Sequence, residues 1–361
     1  MKKFYILILL FSSLTFAQPP AGYYDNANGL VDYTLKSALE TIIDDVNDGN
    51  GQPFHDTAVT YNQLWTLYQT SDVRPDGKVW DMYSSCNFTF GTDQDDGMGG
   101  GTECDKYNRE HSFPRSWFGN DQNHPIFADP FHVIPSDKKV NAERGNLAFG
   151  EVATATYTSL NGSKIGSSSI TGPTGNVFEP IDEYKGDIAR GFFYIAVRYQ
   201  DDIDSWEAND TDGDSMLDGS SNKVFEQWAL DMLYNWHLND PVSQKEIDRN
   251  NAIFAHQDNR NPFIDNPQYV EDIWQGVLSV TDPDPELDIS LYPNPVRSEA
   301  FFINTTSPLT VKIYNLLGEL VMKTRISSNR DPVNISGLSS GIFLVNLSSE
   351  NSTITKKLIR Q

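Results

Sequence analysis

Cysteine is nearly absent. The two residues present in 361, Cys86 and Cys104, exclude a disulfide-framework fold and a four-cysteine zinc site. Positive charge is scarce as well. Against 50 Asp and Glu stand 27 Lys and Arg, for a formal net charge of -23. That balance excludes a uniformly basic nucleic-acid coat but leaves room for a local basic cleft. Beyond the N-terminus there is no apolar run of roughly 18 residues, so no later membrane span is expected. The chain also lacks a P-loop, a two-histidine zinc-protease helix and any internal repeat. What it does have is core-forming material. Apolar residues make up 38% and aromatics 12%, which rules out whole-chain disorder. The length exceeds what one hydrophobic core usually organises, so two domains plus processing segments are expected.

Residues 1–17, MKKFYILILLFSSLTFA, carry Lys2 and Lys3, then an apolar stretch, then a small-x-small ending at Ala17. This pattern reads as a secretory signal; the run is too short to span a membrane comfortably as an anchor. Export permits a Cys86–Cys104 disulfide, which would staple a loop containing the glycine-rich stretch 91–101. The alternative is two free buried thiols. Thr281-Asp-Pro-Asp-Pro-Glu286 reads as a linker, and composition changes across it. Residues 287–361 hold eight bases and five acids, whereas the 18–286 body holds 17 bases and 45 acids. The tail alternates β-branched and aromatic runs, such as Val311-Lys-Ile-Tyr-Asn and Ile342-Phe-Leu-Val-Asn-Leu, with Asn, Gly and Ser turns. A small antiparallel β-sandwich is expected. Its Leu291-Tyr-Pro-Asn-Pro-Val296 opening, Leu338-Ser-Ser-Gly341 and basic ending resemble the C-terminal sorting domain of the type IX secretion system. The resemblance implies that this machinery is a partner and that the protein is secreted to the cell surface or the medium.

The body, 18–280, reads as mixed helix and strand. Apolar stripes predict helices over 33–46, 187–199 and 225–236. A further helix should start at Ser243, with Glu246 as capping-box partner and Ile247, Phe254 and Gln257 following. Residues 105–150 read as strands and loops followed by a short helix, capped by Ser136 and ended by Gly145. This stretch has six bases and six acids, so it is neutral within an acidic body. It is the expected place for a polyanion.

Two segments carry chemistry. Tyr107-Asn-Arg-Glu-His-Ser-Phe-Pro-Arg-Ser-Trp-Phe118 sets a His beside a Glu, and the short helix bears Asn141. A neutral His can take a proton from water near pH 7, and a carboxylate with an amide oxygen can hold a hard cation. These segments, together with Val79-Trp-Asp-Met-Tyr-Ser84, Lys185-Gly-Asp-Ile-Ala-Arg190 and Asn259-Arg-Asn-Pro-Phe-Ile-Asp265, resemble bacterial endonuclease I, a nuclease family of the His-Me finger (ββα-metal) superfamily. The resemblance implies an α+β body containing such a finger. It implies His111 as general base, Glu110 and Asn141 as ligands of Mg²⁺ or another divalent cation, and 5′-phosphate and 3′-hydroxyl products. Arg115 and Arg144, with Arg109 as a third candidate, are expected to hold phosphate. DNA is the expected substrate, with RNA left open, met through backbone contacts by a monomer.

Three points qualify this expectation. Neighbours on a regular strand point to opposite faces, so Glu110 and His111 share a site only if the strand ends or bulges there. His132, where the finger's second strand should run, reads more readily as a structural residue than as part of the site. Finally, Asp210, Asp212, Asp214 and Asp218 are spaced to wrap Ca²⁺ and resemble thrombospondin type 3 loops, although the EF-hand glycine and glutamate are missing. A solvated acidic loop is the alternative. A calcium-binding surface protein on an inactive nuclease fold is therefore the competing function.

Overall fold

The computed structural model describes residues 19–44, 60–173, 175–278, 291–304, 308–315, 320–328, 331–348 and 353–360. The signal, the 281–286 linker and Val46 lie outside them. The chain divides into two units, Met1–Ser279 and Val280–Gln361.

The first unit is a mixed helix-and-sheet body. Its order is α1 (Asp32–Asp44), α2 (Leu64–Ser71), β1 (Tyr107–His111), β2 (Val133–Asp137), α3 (Lys138–Arg144), β3 (Val152–Thr158), β4 (Lys164–Ser168), β5 (Asn176–Glu179), α4 (Lys185–Arg198), α5 (Thr211–Asp214), α6 (Gln227–Asn239), α7 (Gln244–Gln257), α8 (Pro262–Asp265) and α9 (Tyr269–Trp274). β1 and β2 form a two-stranded antiparallel sheet, and β3, β4 and β5 a three-stranded one.

The expected helices form, but their burial differs from the amphipathic reading. Every residue of α4 except Asp187 is buried, not one stripe. Its polar members survive there because they are paired. Arg190 donates to Glu246 on α7, Arg198 pairs with Asp44, and Lys185 with Glu151 and Glu179. A buried charge is tolerated only with such a partner. On α7 the Ser243–Glu246 capping box is present as expected. The buried face, however, is Glu246, Arg249, Asn250, Ile253 and Gln257, while Ile247 and Phe254 are only half-buried. Polar partners turned the helix: Arg249 meets Asp72 at 2.8 Å, and Asn250 reaches Asp265.

Cys86 and Cys104 are joined in a disulfide. It closes a loop over a separation of 18 residues. Removing it by Cys86→Ser with Cys104→Ser is expected to cost about 3 kcal/mol, the chain-entropy value for a loop near this size. Urea unfolding measures it; a loss below ~1 kcal/mol would mean that the loop's own hydrogen bonds hold it.

The second unit is all β. β6 (Leu291–Tyr292), β7 (Ala300–Ile303) and β10 (Val333–Asn334) form one sheet. β8 (Leu309–Tyr314), β9 (Leu320–Ile326), β11 (Gly341–Ser348) and β12 (Thr353–Arg360) form the other. All these pairings are antiparallel. Alternation does the work: Leu309, Val311 and Ile313 of β8 point inward, as do Phe343, Val345 and Leu347 of β11, against Phe301 and Ile303 of β7.

Candidate active site

β1 pairs with β2 in continuous antiparallel register, from Tyr107 opposite Asp137 to His111 opposite Val133. α3 follows β2 directly. The predicted cap Ser136 is displaced by its neighbour: Asp137 accepts from the Lys139 and Val140 N–H groups at 2.8 and 3.2 Å. A carboxylate complements the helix N-terminus better than a hydroxyl. Asp137 also accepts from the Cys104 N–H at 2.7 Å, so the disulfide loop is tied to the start of α3. Gly145 ends the helix as expected, at φ +59°, with its N–H on the Asn141 carbonyl.

Between the hairpin and α3 opens a cleft of about 490 Å³. Asn108, Glu110, His111, Arg115 and Asn141 all line it. β1 stops at His111 and has no bulge. Asn108 and Glu110 therefore share the face toward α3, and Arg109 and His111 take the other. Among the described residues no strand pairs with the outer edge of β1 from Asn108 onward, and side chains of both faces border the cleft.

His111 is buried, and its Nε2 lies 3.0 Å from the Phe127 carbonyl. A carbonyl only accepts, so Nε2 carries the hydrogen and Nδ1 is left as the ring's acceptor. Tyr61 stacks on the ring with centroids 5.4 Å apart. Burial, reinforced by His132, holds the His111 pKa well below the usual 6.5. The ring is thus neutral at pH 7.

Glu110 is buried, and burial pushes its carboxyl pKa up while Arg144 opposes the rise. Its Oε1 accepts from Arg144 Nη1 at 2.6 Å and from the Tyr83 hydroxyl at 3.3 Å. Asn141 Nδ2 donates to Asn108 Oδ1 at 2.9 Å. Neither Glu110 Oε2 nor Asn141 Oδ1 has a protein donor among the described residues. A carboxylate oxygen and an amide oxygen left unengaged on one cleft suit a hard divalent cation. Asn108 was missed by the sequence reading, although its position two residues before Glu110 was a legible signal.

The arginines separate. Arg144, expected to hold phosphate, is fully buried and does not line the cleft. Its guanidinium is spent on Glu110 and on the carbonyls of His111, Ser112 and Leu147, at 2.6 to 3.1 Å. The reason is that Arg144 lies on the buried face of α3, with Val140, where those acceptors need a donor. Arg109 stacks on Tyr61 and Trp65 and donates to the Tyr61 carbonyl. Arg115 alone of the three is exposed, and it makes no ion pair among the described residues.

His132 precedes β2 by one residue instead of lying within it. It is fully buried, its Nε2 lies 2.6 Å from the Ile126 carbonyl, and burial lowers its pKa to about 4.

The four aspartates, for which a calcium loop and a solvated acidic loop were the two readings, stand apart from the cleft lining. Their carboxylates do not gather at ligand distance among the described residues. Asp210 caps α5 and accepts from Asn146, while Asp218 accepts from Ser220 and pairs with Lys223. Local hydrogen bonds to backbone, amide and hydroxyl groups hold the Asp210 and Asp218 carboxylates where they stand.

The sequence matches the endonuclease I family over residues 31–268, well over half of the chain. The chain belongs to the endonuclease I family. Two curated relatives of this endonuclease I chain are extracellular ribonucleases. That of Bacillus amyloliquefaciens is 33% identical over 257 residues, covering 70% of this chain and 78% of the relative. That of Bacillus subtilis (strain 168) is 32% identical over 274 residues, covering 73% and 84%. Residues 290–361 match the secretion-system C-terminal sorting domain. This endonuclease I family member is therefore a secreted nuclease, and the family implies dependence on a divalent metal. No helix among the described residues is long and apolar enough to cross a membrane.

Proposed function

We propose that the protein is a metal-dependent endonuclease that hydrolyses phosphodiester bonds of both DNA and RNA, with β1, β2 and α3 acting as a ββα-metal finger. The observation that carries this reading is the His111 ring, whose Nε2 is fixed by the Phe127 carbonyl and whose Nδ1 remains an acceptor beside the cleft. The names of the two Bacillus relatives support RNA as a substrate.

In this mechanism His111 Nδ1 takes a proton from water. The water oxygen forms a bond to phosphorus in line with the P–O3′ bond, which breaks. The products are a 5′-phosphate and a 3′-hydroxyl, the departing oxygen taking its proton from solvent. Glu110 Oε2 and Asn141 Oδ1 would hold the divalent cation, Mg²⁺ being the simplest choice for oxygen donors. Bound there, the cation supplies positive charge against the negative charge that develops around phosphorus and the leaving oxygen. Arg115 faces the phosphate. Asn108 fixes the Asn141 amide, and Arg144 and Tyr83 fix Glu110.

Electrostatics favour this place for a polyanion. Glu110 is the only acid lining the cleft among the described residues, although the 18–286 body holds 45 acids. Purified protein is expected to nick supercoiled plasmid and degrade single-stranded RNA with Mg²⁺, and to do neither in excess chelator. Cleavage that persists without metal, or none with any divalent cation, rejects the reading.

A further inference from the structure

The Phe127 carbonyl pins one atom of the His111 ring, Nε2, and one pinned atom does not fix the plane of a ring. Packing does that. Phe118, Phe127 and His132 are buried and meet the imidazole at 46°, 47° and 56°. Tyr61 differs from these three in two ways. Its ring lies closest to parallel with the imidazole, at 27°, with centroids 5.4 Å apart. It also lines the catalytic cleft, which the other three do not, so it covers the imidazole on the open side.

Tyr61 is itself held. It sits in the turn that leads into α2, where the Gln63 N–H donates to the Thr60 carbonyl at 2.9 Å and the Thr60 N–H to Gln63 Oε1 at 2.6 Å. Arg109, on the same face of β1 as His111, lays its guanidinium 3.5 Å from the Tyr61 ring centre and 4.4 Å from that of Trp65. Its Nη1 donates to the Tyr61 carbonyl at 2.6 Å and to Asn62 Oδ1 at 3.3 Å. A guanidinium can stack on a ring and donate from its fork at once, so Arg109 grips both the ring and the backbone of this residue. We propose that Tyr61 is a positioning residue for the general base: its ring, clamped by Arg109, sets the plane of the His111 imidazole and so the direction in which Nδ1 meets the attacking water. Neither Tyr61 nor Arg109 touches the reacting atoms. Arg109 acts through Tyr61, not on phosphate. This inference rests on the nuclease reading above and extends it to what aims the base.

The test measures kcat and KM of the full protein on a labelled oligonucleotide with Mg²⁺ present. Tyr61→Leu keeps apolar bulk and removes the flat face. Its kcat is expected to fall ~10-fold or more with KM unmoved, the pattern of a misaimed reacting group. Tyr61→Phe keeps the ring and is expected to restore most of that loss. Arg109→Met is expected to lower kcat as well, again without raising KM. In a His111→Ala background Tyr61→Leu is expected to cost nothing further, because no base remains to be aimed. A raised KM in Tyr61→Leu or Arg109→Met would mark a substrate contact and overturn the proposal. So would an unchanged kcat in Tyr61→Leu, a Tyr61→Phe variant as slow as Tyr61→Leu, or losses that add in the His111→Ala background. Should Tyr61→Leu fail to fold, Tyr61→Phe and Arg109→Met decide by the same criteria: near-native kcat in the first with lowered kcat at native KM in the second supports the proposal, and any other pair of results overturns it. Failure of the native enzyme to cut any strand overturns the nuclease reading instead.

Discussion

Cleavage by a His111→Ala variant is expected to fall by ~10²-fold or more in kcat, the scale of losing a positioned general base. Stability should fall as well, because the buried ring gives up one hydrogen bond, to the Phe127 carbonyl, and its packing on Tyr61, Phe118, Phe127 and His132. Single-turnover cleavage of a labelled oligonucleotide measures the loss, and circular dichroism checks the fold. The pH profile is the sharper readout. A base must be unprotonated to act, so activity is lost as pH falls through the pKa of the folded enzyme. Burial, with His132 adding to it, sets that pKa well below 6.5. Native activity should therefore be flat from pH 8 down past 6.5 and fall only in more acid solution. A limb centred at or above 6.5, or a His111→Ala variant as active as the native enzyme, rules out this histidine as the base.

The second large effect concerns Arg144. From the sequence this residue was a candidate for holding substrate phosphate, and in the structure it is a buried hub that meets one carboxylate and three carbonyls. The two roles predict different losses. Removing a phosphate contact lowers kcat/KM and leaves stability alone. Removing half of a buried ion pair strands the other charge, at about 3–5 kcal/mol. Arg144→Met is expected to show the second pattern: a lowered urea midpoint, together with weaker metal binding because Glu110 loses the cation that opposes its raised pKa. Pairing it with Glu110→Gln should recover part of the stability, since the stranded charge is gone, without restoring activity. A variant of native stability that merely binds substrate poorly would return Arg144 to the cleft. Arg115→Ala is the natural control, being exposed and without an ion pair among the described residues.

The two residues illustrate how far the sequence reaches. Helices such as α4 and α6 were visible because a 3.6-residue apolar period survives whatever packs against it. β8 and β11 were visible because a period of two does the same. Which face of α7 is buried was not visible. There ion pairs and amide contacts from Asp72 and Asp265, distant in the chain, outweighed Ile247 and Phe254. The acidic run 210–218 was left open for a related reason. Alternating aspartates are equally suited to wrapping an ion and to capping turns, and only the backbone decides which.

The sequence by itself determined the kinds of groups available: an imidazole, a carboxylate and an amide at fixed places, an acidic body with one neutral stretch, and an all-β tail. Those follow from residue identity and local periodicity, which need no partner. The tertiary structure alone decided which atoms remain free to act. Phe127, 16 positions along the chain, claims one nitrogen of His111. Arg144 claims one oxygen of Glu110, and Asn108 claims the amide nitrogen of Asn141. What a side chain can do depends on which of its hydrogen bonds are already made, and those bonds come from segments that only folding brings together.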